Sequence, residues 1–186
     1  DAHRPPAYLN ILLTLLAVVH GSLVLRDVMA NGPAVIGMPW LTVGDLNLEI
    51  SFSRSLTNVS ALELITGLSL LSQIYSLGYL DKEGALARFF ALLGFFEGAM
   101  SGVVLSDSLF QSYFLLEMLT LSTYLLVGFW YAQPLVVTAA RDAFLTKRVG
   151  DVRLLMSVVA LTAWSGVTSF DDLYSWSAQD TLTPLA

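Results

Sequence analysis

Residues 108–131 are SLFQSYFLLEMLTLSTYLLVGFWY, an almost uninterrupted apolar stretch with a single charged side chain, Glu117. A helix needs roughly 20 mostly apolar residues to cross a hydrocarbon core about 30 Å thick, and this stretch is long enough. Lipid offers no hydrogen-bond partner to an unpaired backbone group, so such a stretch favours a transmembrane helix. It predicts that the protein is embedded in a membrane.

The composition of the whole chain agrees with a membrane protein. Of 186 residues, 55% are hydrophobic and 13% are charged, whereas soluble domains are about 45–50% apolar and about a quarter charged. The absence of cysteine excludes thiolate-bound iron–sulfur clusters and disulfides. Two histidines are too few for two bis-histidine haems, and a net charge of −6 gives no electrostatic reason to bind nucleic acid.

The distribution of apolar stretches predicts one membrane domain of the all-α class, with about five transmembrane helices. They are expected at residues 8–25, 59–79, 85–105, 108–131 and 152–170. Residues 32–55 carry glycine and proline and then alternate apolar with polar side chains, which predicts a short β-hairpin outside the bilayer. Residues 133–150 contain four charged side chains, which favours a loop or an amphipathic helix at the membrane surface.

The basic residues are distributed unequally between the two sides of these five spans. One side carries Arg26 and Arg54. The other side carries the N-terminal segment and the other seven: Arg4, Lys82, Arg88, Arg141, Lys147, Arg148 and Arg153. Cytoplasmic loops are enriched in Lys and Arg, so we expect the N-terminal end of this segment in the cytoplasm. Because the chain opens at Asp1 without an initiator methionine, we also expect a fragment of a longer polypeptide.

Acidic side chains within predicted spans are the first functional candidates, because a charge at the bilayer centre costs at least ~3 kcal/mol on insertion scales. Glu117 lies near the middle of the fourth span. A lone carboxylate in a low-dielectric environment favours its neutral form, so Glu117 is a candidate proton relay. The alternative is a protonated Glu117 that joins two helices by hydrogen bonding.

Glu97 is the second candidate, and His20 and Asp151 have weaker signals. Glu97 lies about 60° around the third span from glycines at 94, 98 and 102, a spacing that lets another helix approach closely. Glu97 either packs at a helix interface with its carboxyl group hydrogen-bonded, or it has a role in the chemistry of the protein. His20, in the first span, is more often a packing residue than a ligand. Asp151 begins the fifth span beside Lys147 and Arg148, where it belongs either to a solvated charge cluster or to a proton-entry region.

The chain has no phosphate-binding loop, nucleophile elbow or paired-histidine metal motif. We therefore expect no cofactor or metal in this chain, and any catalysis is transport or is supplied by other chains.

Three stretches carry a resemblance to a known family: residues 116–131, LEMLTLSTYLLVGFWY; residues 143–151, AFLTKRVGD; and Arg88-Phe89-Phe90. They resemble the antiporter-like family of complex I, in the chain 5 type of the NAD(P)H–quinone oxidoreductase of cyanobacteria and chloroplasts. The resemblance covers essentially the whole chain. It implies a larger antiporter-like bundle, of which this chain matches the second to sixth helices and an outward hairpin.

The resemblance also implies roles and partners. Family members use the Glu matching Glu117 with a Lys on the next helix, which this sequence does not reach, and Asp151 belongs to the family motif. Quinone and iron–sulfur clusters would lie in partner subunits among the other membrane subunits of the complex. The expected location is the thylakoid membrane of a cyanobacterium.

Residues 133–148 and the Phe-Phe-Glu of Glu97 resemble the paralogues used for CO2 uptake. That similarity implies a carbonic anhydrase-like zinc protein docked on the cytoplasmic side. Glu97, reached past Arg88, would accept the proton released by CO2 hydration. Three alternatives remain: an ordinary respiratory or cyclic-electron-flow subunit, a cation/proton antiporter subunit, and a scaffold that transports nothing.

Overall fold

The computed structural model describes residues 4–43 and 46–179, which form a helical bundle with one small hairpin. The predicted all-α class with a hairpin is confirmed. Residues 1–3, 44–45 and 180–186 lie outside the described residues. The elements are α1 Pro5–Asn31, β1 Ala34–Val43, β2 Leu46–Arg54, α2 Leu56–Tyr79, α3 Leu86–Leu105, α4 Leu109–Val127, α5 Pro134–Ser165 and α6 Phe170–Gln179.

The first helix, α1, begins at Pro5, where a proline costs no backbone hydrogen bond. It ends at Gly32, whose φ of +86° suits glycine far better than other residues. Four residues spaced by seven form its buried seam against α2 and α3: Ala7, Thr14, Gly21 and Val28. The rest of α1 is largely exposed and apolar, as expected of a surface that lipid or further helices cover.

The β-hairpin covers one end of the bundle. Its strands pair antiparallel, with Ala34 opposite Arg54 and a register shift between Pro39 and Leu41. The backbone N–H of Asp107, between α3 and α4, donates to the carbonyl of Ser51 at 3.1 Å. This contact fastens the hairpin to the α3–α4 connection, and we call this side the hairpin end.

The opposite side, the N-terminal end, gathers the start of α1, the end of α2 and the start of α3. Arg4 forms an ion pair with Asp81 there. An apolar cluster closes the helices beneath that pair: Ala7, Leu80, Leu86 and Phe90. The predicted cytoplasmic position of this end stays a prediction.

Within the described residues, α1, α3 and α4 are long and apolar enough to cross a membrane. The α2 helix matches the second predicted span in length. It is less apolar because its inward face carries polar side chains, among them Glu63, Thr66 and Gln73. The bundle covers these groups, so α2 exposes a more apolar surface than its average composition suggests.

The structure differs from the sequence prediction in the last third of the chain. Residues 133–150, predicted as a loop or an amphipathic helix separate from the fifth span, form the first half of one continuous helix, α5, which ends at Ser165 and not at residue 170. The first half packs along α4, where Tyr124 and Phe144 have ring centroids 5.1 Å apart. Lys147 and Arg148 thus lie beside the middle of α4. Hydropathy excluded this segment from the predicted membrane spans, because a hydropathy scale scores each charged side chain as if it had no ion-pair partner.

Candidate functional site

The best-defined site, the α4–α5 cluster, surrounds Glu117. One carboxylate oxygen accepts a hydrogen bond from the Tyr113 hydroxyl at 2.7 Å, and Tyr113 lies one turn earlier on α4. The other oxygen is ion-paired with the Arg148 guanidinium of α5. Glu117 is 21% exposed at its side chain and Arg148 is 46% exposed. Glu117 is therefore a half-buried carboxylate that is paired with a cation, rather than the lone carboxylate predicted.

Two further residues of α5 complete this cluster. Lys147 donates to the Thr123 hydroxyl of α4 at 3.1 Å, beside the Glu117 pair. Asp151 lies three residues after Arg148, so both are on the same face of the helix. Its Oδ2 is buried and has no hydrogen-bond partner among the described residues. The cluster thus holds two carboxylates and two cations beside one another.

The second site, the α1–α3 cluster, surrounds Glu97, which is 8% exposed. Its Oε2 accepts hydrogen bonds from Ser69 at 2.6 Å, Thr14 at 2.9 Å and Gln73 at 3.0 Å. These donors come from α1 and α2, so one carboxylate oxygen connects three helices. Its position is consistent with the interface expected from the glycine spacing.

Gln73 organises this second cluster. Its side chain is completely buried, and its amide also donates to Thr14 at 2.8 Å and Ser69 at 3.2 Å. These contacts place a buried glutamine amide at the centre of the three-helix junction around Glu97.

A cavity of about 620 Å³ lies beside Glu97 between α1, α2, α3 and the hairpin. His20 and Ser101 line it, and Arg54 marks its hairpin end. His20 is exposed and shares the cavity with Glu97 without a hydrogen bond to it among the described contacts.

Arg88 is not close to Glu97. Its guanidinium donates to the backbone carbonyl of Phe129 at 2.7 Å. It also lies 4.7 Å from the centre of the Phe129 ring and 4.8 Å from the centre of the Tyr131 ring. Nine residues of helix, or about 13 Å, separate Arg88 from Glu97 along α3. Arg88 therefore fastens α3 to the end of α4.

Another acidic group, Asp107, lies at the hairpin end outside the helices and is 6% exposed. Burial raises its pKa above the ordinary value of 3.8, and the nearby Asp171 and Asp172 raise it further. The Ser169 hydroxyl, which donates to Asp107 Oδ2 at 3.2 Å, acts in the opposite direction. No three His, Asp or Glu side chains of residues 4–43 and 46–179 are placed to hold a metal ion.

Sequence reasoning missed the partners of both glutamates. Arg148 is 31 residues from Glu117, and Thr14 is 83 residues from Glu97. The only sequence signal was that Thr, Ser and Gln occur within apolar stretches, where a polar side chain needs a partner. Which partner it finds depends on the packing of helices that are distant in sequence.

Comparisons with known proteins identify two matching family models. Residues 40–90 match the N-terminal region of chain 5 of NADH-ubiquinone oxidoreductase (complex I), and residues 106–183 match the transmembrane region of NADH:quinone oxidoreductase and Mrp antiporters. A relative from Paulinella chromatophora, NAD(P)H-quinone oxidoreductase subunit 5 of the organellar chromatophore, is 72% identical over this whole chain. The chloroplastic subunit 5 of Coffea arabica is 33% identical over 88% of it.

This chain spans 30% of the Paulinella relative and 22% of the Coffea relative. Two solved structures share its fold. A chain of the archaeal membrane-bound sulfane sulfur reductase matches with a TM-score of 0.80 and 15% identity, over 92% of this chain and 34% of its own length. A chain of the Mrp complex of Dietzia sp. matches with a TM-score of 0.70 and 17% identity. The match covers 90% of the present chain and 20% of the Mrp chain.

Proposed function

The chain belongs to the family of antiporter-like membrane subunits of complex I chain 5 and Mrp antiporters, and from this we propose that it moves protons within a quinone-reducing membrane complex. The relatives named as NAD(P)H-quinone oxidoreductase subunits support this assignment. Quinone and iron–sulfur chemistry would then belong to partner subunits, because this chain offers no cysteine ligand.

The ion pair between Glu117 and Arg148 is the observation that carries the proposal. An acidic group in the middle of a predicted transmembrane helix is costly unless it has a partner or a function. Here the partner is a charge on the neighbouring helix, and Asp151 lies close enough on the same helix face to compete for that cation. Movement of Arg148 from Glu117 toward Asp151 would favour protonation of Glu117, and its return would favour release.

The test is Glu117→Gln in the full-length subunit, within the intact complex reconstituted into vesicles. We expect proton uptake per quinone reduced to fall at least tenfold while the complex still assembles. Glu49→Gln is the matched control because Glu49 is exposed on the hairpin. Equal proton uptake by the two variants would contradict the role of Glu117 and favour the scaffold alternative.

We further propose that the complex is the form that couples proton movement to CO2 uptake in a photosynthetic membrane. The chromatophore and chloroplast relatives support the photosynthetic membrane, and the buried Glu97 beside a cavity supports the proton-accepting role. In this proposal Glu97 accepts the proton of CO2 hydration from a carbonic anhydrase-like zinc protein. Because Arg88 is turned toward α4, the route of that proton to Glu97 does not pass Arg88.

Purification of the tagged full-length subunit in mild detergent, with mass spectrometry of the retained proteins, tests this finer proposal. We expect complex I membrane subunits together with a zinc protein of the carbonic anhydrase type. Complex I subunits without that protein would favour the ordinary respiratory or cyclic form. Normal growth of a Glu97→Gln strain at low CO2 would exclude Glu97 as the proton acceptor.

A further inference from the structure

A third acidic side chain, Glu63 of α2, lies inside the helix bundle. The Ser22 hydroxyl of α1 donates to its Oε1 at 2.6 Å. Its Oε2 is buried and has no hydrogen-bond partner among residues 4–43 and 46–179. Gly21 lies so close that a Cβ at that position would collide with Oε2. The carboxylate is therefore seated against the backbone of α1 and is not turned out of the bundle.

Polar side chains of α2 connect Glu63 to the α1–α3 cluster. Thr66, Ser69 and Gln73 follow Glu63 at intervals of three, three and four residues, which places them along one helix face. Thr66 is 3% exposed and lies between the two acidic sites. At 1.5 Å per residue, Glu63 and Ser69 are about 9 Å apart along α2. Two or three waters, hydrogen-bonded at about 2.8 Å, would bridge that distance.

Unpartnered buried polar atoms occur along the same route. Within the described part of the chain, they include Glu63 Oε2, Gln73 Oε1, Ser101 Oγ and Arg54 Nε. An unpaired buried polar atom is destabilising, and ordered waters ordinarily satisfy such groups. The cavity of about 620 Å³ provides the space, because it is lined by Glu97, by Thr66 and by Gly21, against which Glu63 Oε2 lies. Most of its wall is apolar, and we expect the waters beside Thr66, the polar residue that α2 contributes to it.

We propose that Glu63 and Glu97 are the two proton-carrying ends of a water-bridged path between α1, α2 and α3, separate from the α4–α5 cluster. The carboxylic acid of Glu97 transfers its proton to the adjacent water, and the last water of the chain transfers a proton to the Glu63 carboxylate. One O–H bond breaks and one forms at each transfer, and nothing is oxidised. At the hairpin end, the pair of Arg54 and Asp27, 3.2 Å apart, provides the next charged groups.

The path rests on the proposed function, and Glu63→Gln in the reconstituted complex tests it. The glutamine oxygen still accepts the hydrogen bond from Ser22, but it cannot carry a proton. We expect at least a fivefold loss of proton uptake per quinone reduced, with no loss in Glu49→Gln. Equal uptake by these two variants overturns the path. In the same assay Glu117→Gln tests the proposed function independently of the path, because Glu117 lies between α4 and α5 whereas Glu63 lies between α1 and α2.

Cysteine accessibility in the intact complex tests the water directly and does not require an altered Glu63. The chain contains no cysteine, so an introduced cysteine is the only thiol in this segment. Ser101→Cys lies on the cavity wall, whereas Ala99→Cys, two residues earlier, is in a packed position. Thiolates form in water, so we expect a charged thiol reagent to modify Ser101→Cys at least ten times faster. Equal rates overturn a hydrated path.

Discussion

Replacing Glu97 by leucine removes the acceptor that three donors share, two of them buried, with little change in side-chain volume. Interhelical hydrogen bonds in membrane proteins contribute about 0.6 kcal/mol on average and about 1.7 kcal/mol at most. The three bonds to Glu97 Oε2 therefore predict a loss of about 2 kcal/mol, with about 5 kcal/mol as the upper limit. A loss of about 2 kcal/mol corresponds to roughly a 30-fold change in the unfolding equilibrium.

Glu97→Gln is the matched variant, because the amide oxygen accepts hydrogen bonds from the same donors without the charge. We expect it to lose less than about 1 kcal/mol. The assay is unfolding of the full-length subunit in mixed micelles of increasing SDS fraction, followed by tryptophan fluorescence. If leucine left the unfolding midpoint unchanged, or if glutamine destabilised as much as leucine, the account of the α1–α3 cluster as a hydrogen-bonded junction would be refuted.

Three further predictions concern other parts of the bundle. Arg148→Gln removes the cation paired with Glu117, and we expect proton uptake by the reconstituted complex to fall at least fivefold; Arg141→Gln, an exposed residue of the same helix paired with Asp142, is the control, and equal uptake by both would contradict this. Because the folded-state pKa of Asp107 lies above 3.8, its ionisation opposes folding as the pH rises from 3.8 through the raised value. Asp107→Asn should therefore be more stable than the wild type at neutral pH, which SDS unfolding at several pH values would measure. A lower unfolding midpoint for Asp107→Asn than for the wild type at neutral pH would contradict this. Ser55→Ala removes the cap of α2, where Ser55 accepts from the Asn58 backbone N–H at 3.1 Å, and should cost about 1 kcal/mol; an unchanged unfolding midpoint would contradict it.

The sequence was sufficient for most of the fold because its strongest signals are local. Long apolar stretches predicted the positions of α1 to α4, and the alternation from Leu46 to Phe52 predicted β2. The end of α1 was placed six residues early, since the last turns carry Arg26 and Asp27 and are more polar. Helix propensity continues there until Gly32, which ends the helix.

The sequence favoured a helix for the first half of α5 only as an alternative to a loop, because it does not reveal that Arg148 pairs with Glu117, 31 residues away. Arg148 is unfavourable beside lipid by itself, yet it becomes acceptable once Glu117 is its partner. The Glu97 site was predicted in part: the angle to the glycines indicated an interface. Its donors remained unknown because the sequence alone does not give the rotation of α2 about its axis, which brings Ser69 and Gln73 to the carboxylate.

The continuity of α5 gives it mechanical properties. Its 32 residues extend about 48 Å at 1.5 Å per residue, well beyond a hydrocarbon thickness of about 30 Å. The 14 residues of α5 that precede Arg148 extend over about 21 Å. A tilt of this part of the helix by a few degrees about Arg148 displaces Pro134 by about one to two ångströms. Force applied near Pro134 is therefore transmitted along the helix to the contact between Arg148 and Glu117, without a flexible joint to absorb it.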